Sequence, residues 1–226
     1  MPSLGDWVCT LFPPFRPTLF PNIAFWSATS ASNSPVAFGQ PDSVVVSIGY
    51  PPTESVYDFI HRVIGYRPPH PTPPEYLTGA DAFISFLDGS LRPWVYGTLF
   101  LSVTFTRDAL FGHSFGGLFV VHALISNPYI FDTYLSARLA LDWQNGSIFA
   151  MRNITLSEPA VLISYGSLEE FPVRRRTETE EQLQTRKDFF KPLRMTGNCH
   201  QQYVRHDHAG VAASVITDGI DYFVNW

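Results

Sequence analysis

The chain has 226 residues, 45% of them apolar and 15% charged, with a formal net charge of −5. A chain of this length hides roughly 70% of its unfolded surface on folding, so it can build one globular core unaided, and disorder is excluded as its main state. Its 15 basic residues are outnumbered by 20 acidic ones, and no basic run exceeds Arg174–Arg176. That leaves no electrostatic footprint for duplex or surface phosphates, so nucleic acid is not an expected partner.

Cys9 and Cys199 could form one bridge at most, and neither has the C-x-x-C spacing of metal or dithiol sites. They read as buried free thiols in a reducing compartment, which gives a cytoplasmic location, and nothing points to a metal or a cofactor. The first 26 residues are apolar and aromatic, but they lack a basic start, and Pro13, Pro14, Pro17 and Pro21 break the run. Neither a signal peptide nor a membrane span is expected.

Residues 1–40 show no sustained period and read as a divergent N-terminal segment, loop or a damaged piece of the fold. Ser43–Gly49 (SVVVSIG) is a β-branched run ending at Gly-Tyr-Pro-Pro, the pattern of a strand buried on both faces of a parallel sheet. Thr53 opens a short helix expected through Ile60. Arg67–Tyr76 then packs five prolines into ten residues, an extended loop suited to a lid. Ala82, Phe83, Phe86 and Leu87 recur at helical spacing, and Arg92-Pro93 should interrupt or bend that helix.

The informative stretch follows. Asp108–Gly112 reads as a short apolar strand, residues 113–117 as a Gly-rich turn, and Leu118–Ser126 as an apolar helix. Pro159–Tyr165 is a further buried strand with Glu169 and Glu170 beyond its tip. Thr177 and Glu180 form a capping box for a helix whose charges read as a solvated face. Gln201–Val204 is a short strand candidate, and apolar residues from Val211 to Phe223 mark a terminal helix. Strands alternating with helices predict an α/β fold: a mostly parallel sheet with helices on both faces, its N-terminal strands incomplete, occupying 41–226.

Gly112-His113-Ser114-Phe115-Gly116 matches G-x-S-x-G, with a strand before it and a helix after it, the context of a nucleophile elbow. A serine on so tight a turn takes a strained backbone, and flanking side chains would collide with the neighbouring strand and helix. The helix starting after Ser114 aims its free N–H groups at the reaction centre, which makes the Phe115 N–H a candidate oxyanion donor. A serine nucleophile in this chain order needs an acid and then a histidine downstream. Of the downstream histidines, His122 is mid-helix, while His206 and His208 share a loop between a strand and a helix. Glu169 is the first acid candidate, with Glu170, Asp142 and Asp207 behind it.

These residues carry a likeness. PDSVVVSIGYP (41–51), GADAFISFLDG (79–89), RDALFGHSFGGLFVVHAL (107–124), FDTYLSA (131–137), SYGSLEEFPVRRR (164–176) and HAGVAAS (208–214) resemble the siderophore esterases of the esterase-D-like α/β-hydrolases, fungal triacetylfusarinine esterases above all. The resemblance implies the α/β-hydrolase fold, Ser114 as nucleophile, His208 as base and Glu169 as acid. It implies a second oxyanion N–H from Asn22 or Ile23, because relatives place a Leu-Asp-Gly-Asn strand where this chain has TLFPNIAFW (18–26). It also implies a hydroxamate siderophore as ester substrate, with iron release inside the cell. Candidate substrate contacts are His113, Trp143 and Arg174; Tyr66, Tyr76 and Trp94 could also hold a bulky ligand, though core packing is the first reading for each. Two other functions stay open: an acyl transferase or thioesterase of small-molecule biosynthesis, and a truncated homologue without turnover.

Overall fold

The computed structural model describes residues 8–11, 24–29, 43–48, 59–69, 78–139, 159–166, 180, 181, 184, 188, 191 and 199–225. Seven strands, β1 (Val8–Leu11), β2 (Ala24–Thr29), β3 (Ser43–Ile48), β4 (Phe105–Ser114), β5 (Thr133–Leu139), β6 (Ala160–Gly166) and β7 (Cys199–Tyr203), form one sheet in the order β1-β3-β2-β4-β5-β6-β7. The β1–β3, β4–β5, β5–β6 and β6–β7 pairs are parallel. β2 runs antiparallel to both of its neighbours, β3 and β4. Two strands therefore come from the aperiodic first 40 residues, and one of them lies beside β4.

The unbroken apolar runs have a simple cause. Successive side chains of a strand point to opposite faces, so a strand covered on both faces must be apolar at every position. Leu110, Tyr134, Val161 and Ile163 join the core under helices α1 (Phe59–Tyr66), α2 (Ala80–Phe86) and α4 (Phe115–Ser126). Their neighbours Ala109, Phe111, Leu135 and Leu162 join the core under the C-terminal helix α5 (His208–Asn225), with Val211, Val215 and Phe223. Helices on both faces of a largely parallel sheet are thus observed. Among the described residues no helix is long and apolar enough to cross a membrane.

Tyr66 is fully buried, with its ring 5.5 Å from Phe119 and 6.0 Å from Phe83, so it packs the core and does not face a ligand. Burying such a side chain contributes about 2–3 kcal/mol. Trp94 is half-buried and packs against the same cluster.

Two helices differ from expectation. α1, described from Phe59 to Tyr66, runs past the expected end at Ile60 and stops just before Arg67-Pro68, where the pre-proline residue is pushed out of helical conformation; the expected start at Thr53 lies outside the described residues. Pro93, for its part, does not stop the preceding helix. α2 continues through a π-helical turn (Leu87–Leu91), a short α3 (Arg92–Trp94) and a second π-helical turn (Val95–Leu99). The Arg92 N–H reaches back to the Leu87 carbonyl, so a widened turn carries the chain past the donor that proline lacks.

The lid-like loop 67–76 lies outside the described residues from 70 onward. Where the chain returns, the Gly79 N–H donates to the Ile64 carbonyl at 2.9 Å, so the two ends of the Pro-rich segment meet at the end of α1. In the capping-box helix, Glu180, Glu181, Gln184, Asp188 and Lys191 are helical and exposed, which is the solvated face.

At the base of β4 the buried Asp108 holds three segments together. Its carboxylate lies 3.0 Å from Arg92 Nε, accepts the Tyr96 hydroxyl at 3.3 Å, and accepts the Asp132 N–H at 3.2 Å. Arg92 also stacks on Phe131, 4.6 Å from the ring centroid. Burial pushes the Asp108 carboxyl up to about 6, against the pull of Arg92. A carboxyl raised above its unfolded value favours folding fully below about pH 4, and that contribution is lost as pH rises through 6. The free energy of unfolding of the wild type should fall by about 2–3 kcal/mol relative to Asp108→Asn between about pH 4 and pH 7. Urea titrations across that range measure it, and parallel pH profiles for the two proteins would contradict it.

Candidate active site

β4 delivers its last residue, Ser114, at φ 62° and ψ −117°, and α4 begins at the next residue. Positive φ is strained for a side chain with a Cβ, of order 1–3 kcal/mol, and persists only where the surroundings impose it. Here the imposing contact is the approach of Gly112 to Gly116. A Cβ on Gly112 would lie 2.2 Å from the Gly116 carbonyl oxygen, whereas a Cβ on Gly116 would meet only Tyr66 Cε2, at 3.8 Å. The two glycines of the motif are therefore unequal, and steric exclusion acts at the first alone.

Ser114 is half-buried, and its hydroxyl makes no capping bond to α4. The helix behind it is rigidly seated: residues 116–124 are all buried, Ser136 Oγ donates to the Gly117 carbonyl at 3.1 Å, and His122 Nε2 lies 2.7 Å from Asp81 Oδ1 on α2. His122 thus serves the fold. The N-terminal turn of α4, which begins at Phe115, stands beside the Ser114 backbone and gives this corner a positive partial charge.

The remaining parallel strands end along the same edge. Ser114 pairs with Leu139, and Gly166 at the tip of β6 pairs with Tyr203 at the tip of β7. The turn from β7 into α5 folds back over β6: a Cβ on Gly166 would lie 2.2 Å from the His206 carbonyl oxygen and 2.7 Å from Val211 Cγ2. Arg205 in this turn has φ 62°, which makes it the second non-glycine residue with positive φ among the described residues.

His206 and Asp207 are both engaged here. His206 Nδ1 is 2.9 Å from the Val204 carbonyl oxygen, and its Nε2 is 2.9 Å from Ser214 Oγ on α5. A carbonyl only accepts, so Nδ1 donates to it, while Nε2 is engaged by the Ser214 hydroxyl, which also donates to the Gly210 carbonyl at 3.4 Å. With both nitrogens occupied, His206 has no lone pair to offer Ser114. Asp207 caps α5: its Oδ1 accepts the Gly210 N–H at 2.9 Å, and its carbonyl accepts the Val211 N–H at 3.1 Å. Asp207 therefore has a structural part at the start of α5. His208 is the first residue of α5.

Of the expected site residues, then, Ser114, Phe115 and the half-buried His113 stand at the β4–α4 corner, and His208 stands at the start of α5 on the same sheet edge. Glu169, Glu170, Asp142, Asn22, Ile23, Trp143 and Arg174 lie outside the residues described, or have side chains that do. Sequence reasoning missed the part of Gly166, although a glycine closing an apolar strand signals close backbone approach. It also missed the Asp207 cap, signalled by an aspartate just before an apolar-periodic helix.

No family model matches the chain. It is 34% identical to the siderophore enterobactin esterase of Emericella nidulans over 218 residues, 81% of this chain and 72% of that one. It is 29% identical to the siderophore triacetylfusarinine C esterase of Aspergillus fumigatus over 233 residues, 91% of this chain and 80% of that one. Among solved structures it resembles the siderophore hydrolase EstA from Aspergillus nidulans with a TM-score of 0.67 and 32% identity, covering 83% of this chain and 73% of that one. With an elbow serine between β4 and α4, a sheet covered on both faces and this degree of likeness, the chain belongs to the siderophore esterases, a family of the α/β-hydrolase type.

Proposed function

We propose that this chain is a serine esterase that cleaves the ester bonds of a hydroxamate siderophore inside the cell and so frees its iron. One observation carries the reading: a serine at φ 62° between a buried strand and a buried helix N-terminus, in a chain 34% identical to a siderophore esterase.

The His208 imidazole takes the Ser114 Oγ proton as that oxygen attacks the ester carbonyl carbon. The tetrahedral oxyanion is held by the Phe115 N–H together with the Asn22 or Ile23 N–H. The imidazolium, oriented by Glu169, returns its proton to the departing alcohol. Water then attacks the acyl-enzyme with the same histidine as base, releasing the acid and restoring Ser114. His113, Trp143 and Arg174 are the substrate contacts that this reading assigns. Cutting the linked ligand into separate arms removes the effective concentration that linkage supplies, so iron is held less tightly afterwards.

The two curated relatives are named for different siderophores, so the test offers both. Purified protein is incubated with iron-loaded and iron-free triacetylfusarinine C and enterobactin, and the products are weighed by mass spectrometry. Products whose masses sum to that of the fusarinine substrate plus one water per ester cut are expected. Cleavage of enterobactin alone would overturn the hydroxamate assignment. Intact siderophores in the presence of active protein that hydrolyses a p-nitrophenyl ester would overturn the substrate class.

A further inference from the structure

The turn that carries His208 is braced beyond what a helix start requires. Arg205 is held at φ 62°, Asp207 caps α5, and Gly166 admits the His206 carbonyl at a distance no side chain would allow. The ring of His206 spans the remaining gap. Through Nδ1 it closes the turn on the Val204 carbonyl, through Nε2 it ties the turn to Ser214, two helical turns into α5, and its face meets Tyr203 at 5.5 Å and 62°. Tyr203 is itself fixed, donating its hydroxyl to Asp218 at 2.7 Å. The ring therefore links the end of β7, the turn and the helix, two residues before His208.

We infer that His206, with Ser214 as its anchor, is a positioning residue that sets where the His208 backbone stands relative to Ser114. The inference rests on the reading of His208 as the base. Without the ring, the turn can pivot between the end of β7 and the Asp207 cap, and His208 at the start of α5 moves with it. A displacement of about 1 Å at a proton-transferring group costs on the order of 10²-fold in rate while substrate affinity is unaffected. The serine closing the 208–214 stretch thus acquires a role: its hydroxyl holds the histidine that lies before that stretch.

The test compares His206→Phe, His206→Asn and Ser214→Ala with the wild type, reading kcat and KM separately on one ester. His206→Phe keeps the ring contact and loses both hydrogen bonds; kcat should fall about 10²-fold with KM within about twofold. Ser214→Ala, which deletes a single hydroxyl, should lower kcat about tenfold and serves if the Phe variant does not fold. His206→Asn keeps a donor for the Val204 carbonyl and should recover part of the loss. Because the two residues act as one unit, the double variant His206→Phe/Ser214→Ala should be no worse than His206→Phe alone. The rate at which an organophosphonate labels Ser114 should fall in step with kcat.

Unchanged kcat in folded His206→Phe, beside inactive Ser114→Ala and His208→Ala, overturns the positioning role and leaves the esterase reading intact. Activity that survives Ser114→Ala or His208→Ala overturns the esterase reading itself.

Discussion

Ser114→Ala is expected to lower ester hydrolysis by about 10⁴-fold or more, to the level of whatever the oxyanion donors alone supply, with no loss of thermal stability. Alanine keeps the Cβ and hence the same backbone strain at φ 62°, so only the reacting oxygen is removed. Ser114→Gly should be equally inactive yet more stable, by a net of about 1 kcal/mol, because glycine takes positive φ without the Cβ conflict while adding freedom to the unfolded chain. The pair separates chemistry from strain: one variant is dead at unchanged stability, the other dead and stabilised. Hydrolysis by either above about 1% of the wild-type rate would refute Ser114 as nucleophile. Equal melting temperatures for the two would refute the strain argument.

Gly112→Ala should be strongly damaging for the addition of a single methyl. The new Cβ would sit 2.2 Å from the Gly116 carbonyl oxygen and 2.3 Å from its carbonyl carbon, and neither is the end of a flexible side chain that could swing away. β4 and α4 must separate, which moves Ser114 as well. The cost is about 4 kcal/mol or more, a fall of roughly 10 °C in melting temperature for a chain of this size, with loss of activity. Gly116→Ala supplies the control. Its Cβ meets Tyr66 Cε2 at an ordinary 3.8 Å, and it sits inside a helix where alanine is favoured by about 1 kcal/mol, so it should fold at least as well as the wild type. Thermal melts of both proteins measure the contrast. If the two substitutions proved equally harmful, the asymmetry read from the turn would be wrong.

Much of this was legible in the chain beforehand, for reasons that differ by element. β3, β4, β6 and α4 announce themselves because each carries an unbroken apolar run: Val44–Val46, Ala109–Phe111, Ala160–Ile163 and Leu118–Val121. β5 does not, because Thr133 and Ser136 break its run. Both are buried, and Ser136 is accommodated by donating to the Gly117 carbonyl, a partner visible only in three dimensions. Pro93 argues locally for a helix end, and the widened turns on either side of it defeat that local rule. At the site, the serine was legible because strand, motif and helix occur together. The choice between His206 and His208 was not legible from spacing, since both lie in the same loop. The hydrogen bonds that occupy both nitrogens of His206 come from Val204 and from Ser214 on α5.

The placement of β2 bears on how the protein is made. Ala24 pairs on one side with Ser47 and on the other with Phe111, so one flank of this strand finds its partner soon after synthesis while the other waits for a segment made much later. In that interval the nascent chain carries a strand with open hydrogen-bonding groups, the usual template for unwanted association. Slowed translation before β4 would therefore lower the yield of soluble protein without altering the molecule that finally emerges.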